Sequence, residues 1–547
     1  MHPVEAILML LVAAAAMAYV AGRVGVPYAL LLVVGGLGLG FVPGLPRVEL
    51  EPQYVFVLFL PPLLYYAALQ TSWRDFRANI RPISFLAFGL TLVTTAVVAI
   101  VAKWFIPDFS WPVAFALGAI VSPPDAVAAT AVAQRLRVPK RIVTILEGES
   151  LVNDAAALVA YRFAVIATMA TAAFSPWGAA LRFVFMAAGG VVIGLLVGML
   201  VVRIRPKIHD ASVETAFSLL TPYIAYLPAE HLGVSSVLAV VTTGLYLARR
   251  IPRIVAPAAR LRAYAVWDAF VFILNCLVFI LIGLQLPAIL ERLKDERSMA
   301  LLISYGAVVS VATVLVRIAW VFTATYVPRW LSPSLRKRDP APPAGHTFVV
   351  AWTGMRGIVS LAAALALPMA FPQRDLILFL TFCVILTTLL AQGLTLPWII
   401  RRLGVQESGE QDREEEVMAR YLSALAAVER LDAILNPPPT PANGNASGAD
   451  GVVLPPPEMV NKDAVARVRA DYERRIGYFS TRLVDPSRGD DDTESARCRT
   501  TDEAHREALA AERRMLLRLR DDGVIGDEIL RRVQHALDLE ESRLDDS

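Results

Sequence analysis

The chain has 547 residues, 56% of them hydrophobic and 18% charged, and its mean hydropathy is +0.54. That balance excludes a large soluble protein and fits a polytopic membrane protein. The formal net charge of +3 hides an asymmetry, because residues 405–547 hold 20 basic against 31 acidic side chains while residues 1–404 hold 32 against 18; a basic membrane part with an acidic tail gives no ground for a nucleic-acid partner.

Crossing a hydrocarbon core takes about 20 apolar residues. Thirteen such spans are expected, near 4–21, 27–43, 53–70, 82–104, 111–133, 142–169, 177–202, 213–229, 233–248, 264–288, 299–325, 346–370 and 375–400. The first, in MHPVEAILMLLVAAAAMAYV, lacks the basic n-region of a signal peptide and reads as a spanning helix. With the N-terminus outside, the inner loops carry 22 Lys and Arg, including Arg74, Arg77, Arg81, Arg141, Arg336, Lys337 and Arg338, against seven on the other side. The positive-inside rule then places the tail in the cytoplasm. Cys276 and Cys383 lie in apolar runs and read as small hydrophobes, and with Cys498 they form no disulfide pattern.

Ionisable groups within spans are costly, and usually face a cavity, a partner or a transport path. The fifth span contains AIVSPPDAVAATAV (119–132). Pro123 and Pro124 remove two backbone donors and should break the helix, leaving Asp125 beside freed carbonyls. A plain proline kink is the competing reading. The sixth span contains EGESLVNDAAALVAYRFA (147–164). Its i,i+4 spacing puts Glu149 and Asn153 on one stripe and Ser150 and Asp154 on the adjacent one. The hydroxyl and carboxylate of that second stripe are hard oxygen ligands, suited to a small cation. Glu147 and Arg162 receive no role. The twelfth span contains WTGMRGIVSLAAALALP (352–368), where Gly354 and Gly357 bracket Arg356. A buried guanidinium needs a carboxylate partner, and Glu149 is the expected one. Glu214, Asp268, Asn275 and Arg317 read as helix–helix hydrogen bonds or interface anchors. The two interrupted spans sit seven apart, as they would if spans 1–6 and 8–13 were inverted repeats around a midplane ion site.

GESLVND (148–154), DAVA (125–128), GMRGIVSLA (354–362) and FLPPLLYYAAL (59–69) together resemble motifs of the NhaP/NHE-type sodium/proton antiporters, over roughly residues 5–402. That resemblance implies an all-α membrane fold with two broken, crossing helices, a core working against a dimerising panel, and a homodimer. It implies secondary active exchange of Na+ (or Li+) for H+, with roles in pH and sodium homeostasis, no cofactor and no enzymatic chemistry. Carried over, Asp154 is the ion and proton carboxylate; Asp125, Ser150 and the Pro124 carbonyl are neighbouring Na+ ligands; Asn153, Glu149 and Arg356 form the supporting network. Asn153 before Asp154 goes with electroneutral 1:1 exchange in such proteins. The family's Thr-Asp-Pro reads Pro124-Asp125-Ala126 here, and the acidic residue of its third span is Tyr66. These departures bear on ion selectivity more than on the transport class. Potassium/proton exchange is the alternative, and a cation channel or membrane sensor the remote one, since no filter-like motif is present.

The expected domains are an exchanger domain at 1–404, a cytoplasmic helix at 405–435, a Pro/Gly-rich linker at 436–461 and a helical tail at 462–547. The Ala- and Arg-rich chain, without eukaryotic targeting signals, points to a bacterial inner membrane.

Overall fold

The computed structural model describes residues 3–24, 28–41, 57–169, 176–255, 257–293 and 297–407, then 462–484 and scattered positions between 418 and 436. The start of the third span, the linker, most of the 405–435 helix and the rest of the tail beyond 484 lie outside the described residues. The chain divides into two units at Glu407 and Ser408.

Every regular element described is a helix. Apart from the short helices Trp73–Ala78, Arg205–Lys207 and Pro333–Arg338, they are in chain order α1 (Pro3–Val24), α2 (Tyr28–Gly40), α3 (Leu60–Gln70), α4 (Ile80–Phe105), α5a (Trp111–Val121), α5b (Ala126–Arg135), α6 (Lys140–Met169) and α7 (Pro176–Ile204). There follow α8 (Ala211–His231), α9 (Ser236–Ile254), α10 (Pro257–Leu293), α11 (Met299–Leu331), α12a (Ala344–Trp352), α12b (Ile358–Leu365) and α13 (Arg374–Leu403). The second unit shows α14 (Lys462–Val484), where the sequence predicts a tail helix. Each expected span coincides with a helix or an interrupted pair, and six helices among the described residues are long and apolar enough to cross a membrane. The two interruptions fall where the Pro-Pro pair and the paired glycines place them.

Helices α4, α5, α6, α11, α12 and α13 pack into one bundle, with α1 and α2 against its core. A second apolar cluster joins α3, α7, α8, α9 and α10 and includes Leu151 and Ala155 of α6. Packing partners recur seven spans along the chain. α2 lies on α10 as α9 lies on α3, and α1 lies on α2 as α8 lies on α9. α4 lies on α5a as α11 lies on α12a. At the α2–α10 crossing, a Cβ on Gly36 would strike the backbone carbonyl of Ile280, and one on Gly283 that of Val33. Such small residues let apolar helices approach without a hydrophobic driving force between them.

Candidate functional site

The two interruptions meet, and each completes the other's hydrogen bonding. Pro123 and Pro124 have no N–H to give to the last turn of α5a. The next N–H, that of Asp125, would reach Val121 O in a continuing helix; it donates instead to Met355 O, at 2.7 Å, inside the break of α12. Val121 O is taken by Arg356 Nε at 2.9 Å and Ser122 O by Arg356 Nη2 at 3.4 Å. Arg356 Nη1 donates to Gly354 O, and the Arg356 N–H to Thr388 Oγ1 of α13 at 3.0 Å. The guanidinium, fully buried, therefore stands at the C-terminal end of a helix, where the dipole favours a cation.

A second arginine does the same for α12a. Arg317 Nη2 of α11 donates to Val350 O at 3.2 Å, and Nη1 and Nη2 grip Glu149 Oε1 and Oε2 at 2.5 and 3.0 Å. The expected pairing of Glu149 with Arg356 is thus not the one formed. The donors of Arg356 are turned to carbonyls that the broken helices leave open, and Glu149 meets Arg317, whose bonds to α6 and α12a are the helix–helix hydrogen bonds expected of it. The charge of Glu149 still acts on Arg356.

Both glycines of the twelfth span have steric reasons. A Cβ on Gly354 would overlap the Arg317 side chain, and one on Gly357 the Asp125 carboxylate. Asp125, half-buried, thereby lies against the residue that precedes α12b, where a helix N-terminus favours an anion. Gly357→Ala is expected to push that carboxylate out of place. Exchange should fall at least tenfold, whereas Ala at Gly22, which has open space around it, should leave it unchanged; equal activities in proteoliposomes would separate Asp125 from the transport step.

Along α6, Asn153 is buried and donates from Nδ2 to Pro124 O at 3.4 Å, while its Oδ1 has no partner among the described residues. Asp154 is 3% exposed. It makes no hydrogen bond or ion pair with the described residues, and lies close enough to Asp125 to be acted on by its charge. Ser150 is half-buried one turn away. The break of α5 and the Asn-Asp step of α6 are therefore held together, with the Pro124 carbonyl, the unpartnered Asn153 Oδ1 and two carboxylates at their meeting point. Oxygen donors of this kind fit a hard monovalent cation. Among the described residues no group of three or more His, Cys, Asp or Glu could hold a metal.

Some of the remaining polar groups find local partners, whereas Asn275 Oδ1, Ser360 Oγ and both polar atoms of the Gln392 amide have none among the described residues. Arg162 pairs with Glu230 at 2.8 Å, and buried Glu214 pairs with buried Arg205. The Tyr66 hydroxyl donates to Asp268 and stacks on Trp267 with centroids 5.5 Å apart. Glu147 is half-buried. Sequence reasoning missed that Arg317 is the partner of Glu149, and missed Thr388 altogether. A lone arginine in VVSVATVLVRIAWVF carries the same demand for a carboxylate that was applied to Arg356; a threonine in an apolar run carries no comparable signal.

The family model described as sodium/hydrogen exchanger, transmembrane, matches residues 7–402. An uncharacterized Na+/H+ exchanger of Mycobacterium tuberculosis (strain ATCC 25618 / H37Rv) is 34% identical over 555 residues, covering 98% of this chain and 96% of that one. The sodium, potassium, lithium and rubidium/H+ antiporter of Bacillus pumilus is 35% identical over 410 residues, 72% of this chain and 60% of its own length. Among solved structures, the sodium proton antiporter MjNhaP1 of Methanocaldococcus jannaschii at pH 8 aligns with a TM-score of 0.60 at 18% identity. That alignment covers 74% of this chain and 99% of that one, and supports the fold. With a family match across the whole helical unit and a relative similar along its full length, the chain belongs to the sodium/hydrogen exchanger family, as a multi-pass membrane transporter of the NhaP type and not an enzyme.

Proposed function

We propose that the chain exchanges Na+ (or Li+) for H+, one for one and without net charge movement, by alternating access at Asp154. The charge balance at the helix crossing carries this proposal. Arg317 and Arg356 contribute two positive charges against three negative ones from Glu149, Asp125 and Asp154, an excess of one negative charge. One proton or one monovalent cation makes the site neutral. An uncompensated charge is costly to move through a low-dielectric barrier, so the site crosses only when loaded. Proton and cation then compete for one carboxylate, and their fluxes are coupled in opposite directions.

In this mechanism Asp154 takes the cation or the proton. Asp125, Ser150 and the Pro124 carbonyl complete the cation's oxygen shell, while Asn153, Glu149 and Arg356 hold the frame. The bundle of α4–α6 and α11–α13 moves against a panel of α1–α3 and α7–α10, through which two copies pair. The recurrence of packing partners after seven spans supports the inverted repeats that such motion uses. The exchanger sits in a bacterial plasma membrane with the N-terminus outside and the tail in the cytoplasm, and serves pH and sodium homeostasis.

Potassium as the cargo is the second reading, favoured by the name of the Bacillus pumilus relative, a sodium, potassium, lithium and rubidium/H+ antiporter. A pH-gradient dequenching assay in proteoliposomes, run with sodium, lithium and potassium, separates the two. Sodium and lithium are expected to collapse the gradient at rates that an imposed membrane potential leaves unchanged. A response to potassium alone would replace the cargo, and a rate that follows the potential would overturn the 1:1 stoichiometry.

A further inference from the structure

A cavity of about 420 Å³ opens at the arginine-rich end of the bundle, walled by α4, α6, α11, α12a and the 339–343 segment. Its wall is mainly apolar, with Phe85 and Leu86 of α4, Ile142 and Ile145 of α6, and Val321 of α11. Its rim is cationic. Asp339 occupies two of the lining arginines, accepting from Arg141 Nη2 at 2.8 Å and Arg329 Nη2 at 2.5 Å. Arg81 is left over: it lies above the Phe85 ring, 5.9 Å from the centroid, with no ion-pair partner among the described residues. Three more cations, Arg336, Lys337 and Arg338, are exposed immediately before Asp339. The same ends of α4 and α11 turn apolar side chains outward, Phe85 at 41% and Trp330 at 79% exposure. Aromatic residues so placed mark the depth of lipid headgroups.

We propose that this cavity binds an anionic phospholipid, one acyl chain against the apolar wall and the phosphate against Arg81 and the 336–338 cations. Basic pockets between helices at the cytoplasmic side of a membrane suit such headgroups. A free phosphate would leave the apolar wall empty, and a zwitterionic lipid would leave the surplus cations unmatched. Every wall of the cavity belongs to the bundle that carries Asp154, so the bound lipid would travel with it. This assignment is independent of the cation transported.

Thermal unfolding of the full chain in neutral detergent tests it, with phosphatidylglycerol, phosphatidylcholine or glycerol 3-phosphate added at equal concentration. Phosphatidylglycerol is expected to raise the melting temperature by several degrees and the other two to leave it in place. Ala324→Phe, which fills the cavity with the charges intact, and Arg81→Gln, which keeps the cavity and removes a rim charge, should each cut that shift at least twofold. If Ala324→Phe fails to fold, Arg81→Gln decides alone. An equal shift with glycerol 3-phosphate would make this a soluble-anion site, and an equal shift with phosphatidylcholine would remove the role of charge. A full phosphatidylglycerol shift in the variants would place the lipid elsewhere. Each of these outcomes overturns the proposal.

Discussion

Asp154→Asn is expected to bring sodium-driven proton movement in proteoliposomes below detection while the protein melts at or slightly above the wild-type temperature. The two halves of that result have one origin. Asp154 is 3% exposed and makes no hydrogen bond or ion pair with the described residues, so its charged form pays for desolvation without local compensation. An amide of the same shape removes that burden and leaves the arginines and the remaining carboxylates balanced with nothing bound. The site then has neither a proton to exchange nor a charge to attract a cation. Retained exchange in Asp154→Asn would move the chemistry to another group, with Asp125 the first to be tried. A variant that is both inactive and strongly destabilised would instead make Asp154 part of the framework.

The backbone events at the site were legible in the sequence because local chemistry dictates them. Two adjacent prolines must end a helix, and two glycines around an arginine mark a place where side chains crowd the backbone. The i,i+4 spacing also placed Asn153 and Asp154 on neighbouring stripes of α6. What spacing does not carry is which neighbouring helix a stripe meets. Arg317 and Arg356 are each a lone arginine in an apolar run, and choosing between them for Glu149 requires the packing of α11 beside α6. The use of Arg356 was hidden for the same reason: its acceptors, Val121 O and Ser122 O, belong to a helix more than 200 residues away. The π-helical turns at Phe85–Leu90 and Thr388–Gln392 have no sequence signature of their own, yet each carries an acceptor that a neighbouring helix uses, a backbone carbonyl in the first and a side-chain hydroxyl in the second. Phe85 O accepts from Trp320 Nε1 at 3.0 Å, and Thr388 in the second turn receives the Arg356 N–H.

Arg317→Ala is expected to be the most destabilising single substitution at the crossing, by about 3–5 kcal/mol. It strands Glu149 as a charge with 1% side-chain exposure and takes one of two donors from Val350 O at the end of α12a, leaving it the Thr353 hydroxyl. Arg317→Lys should recover only part of the loss, because a point charge cannot grip both carboxylate oxygens and the carbonyl together. Replacing both members, as Glu149→Gln with Arg317→Met, removes the stranded charge and should return stability to within about 1–2 kcal/mol of wild type. A double-mutant cycle on melting in detergent gives the coupling. It should exceed 2 kcal/mol for Glu149 with Arg317 and be markedly smaller for Glu149 with Arg356, about 1 kcal/mol; the reverse order would overturn the pairing seen here. The same double variant also probes the charge balance, because it removes one positive and one negative charge and leaves the single negative excess intact. Electroneutral exchange should therefore persist in it, at a reduced rate. Arg317→Met alone, if it can be purified, carries two excess negative charges, and one proton or one cation can no longer neutralise the site.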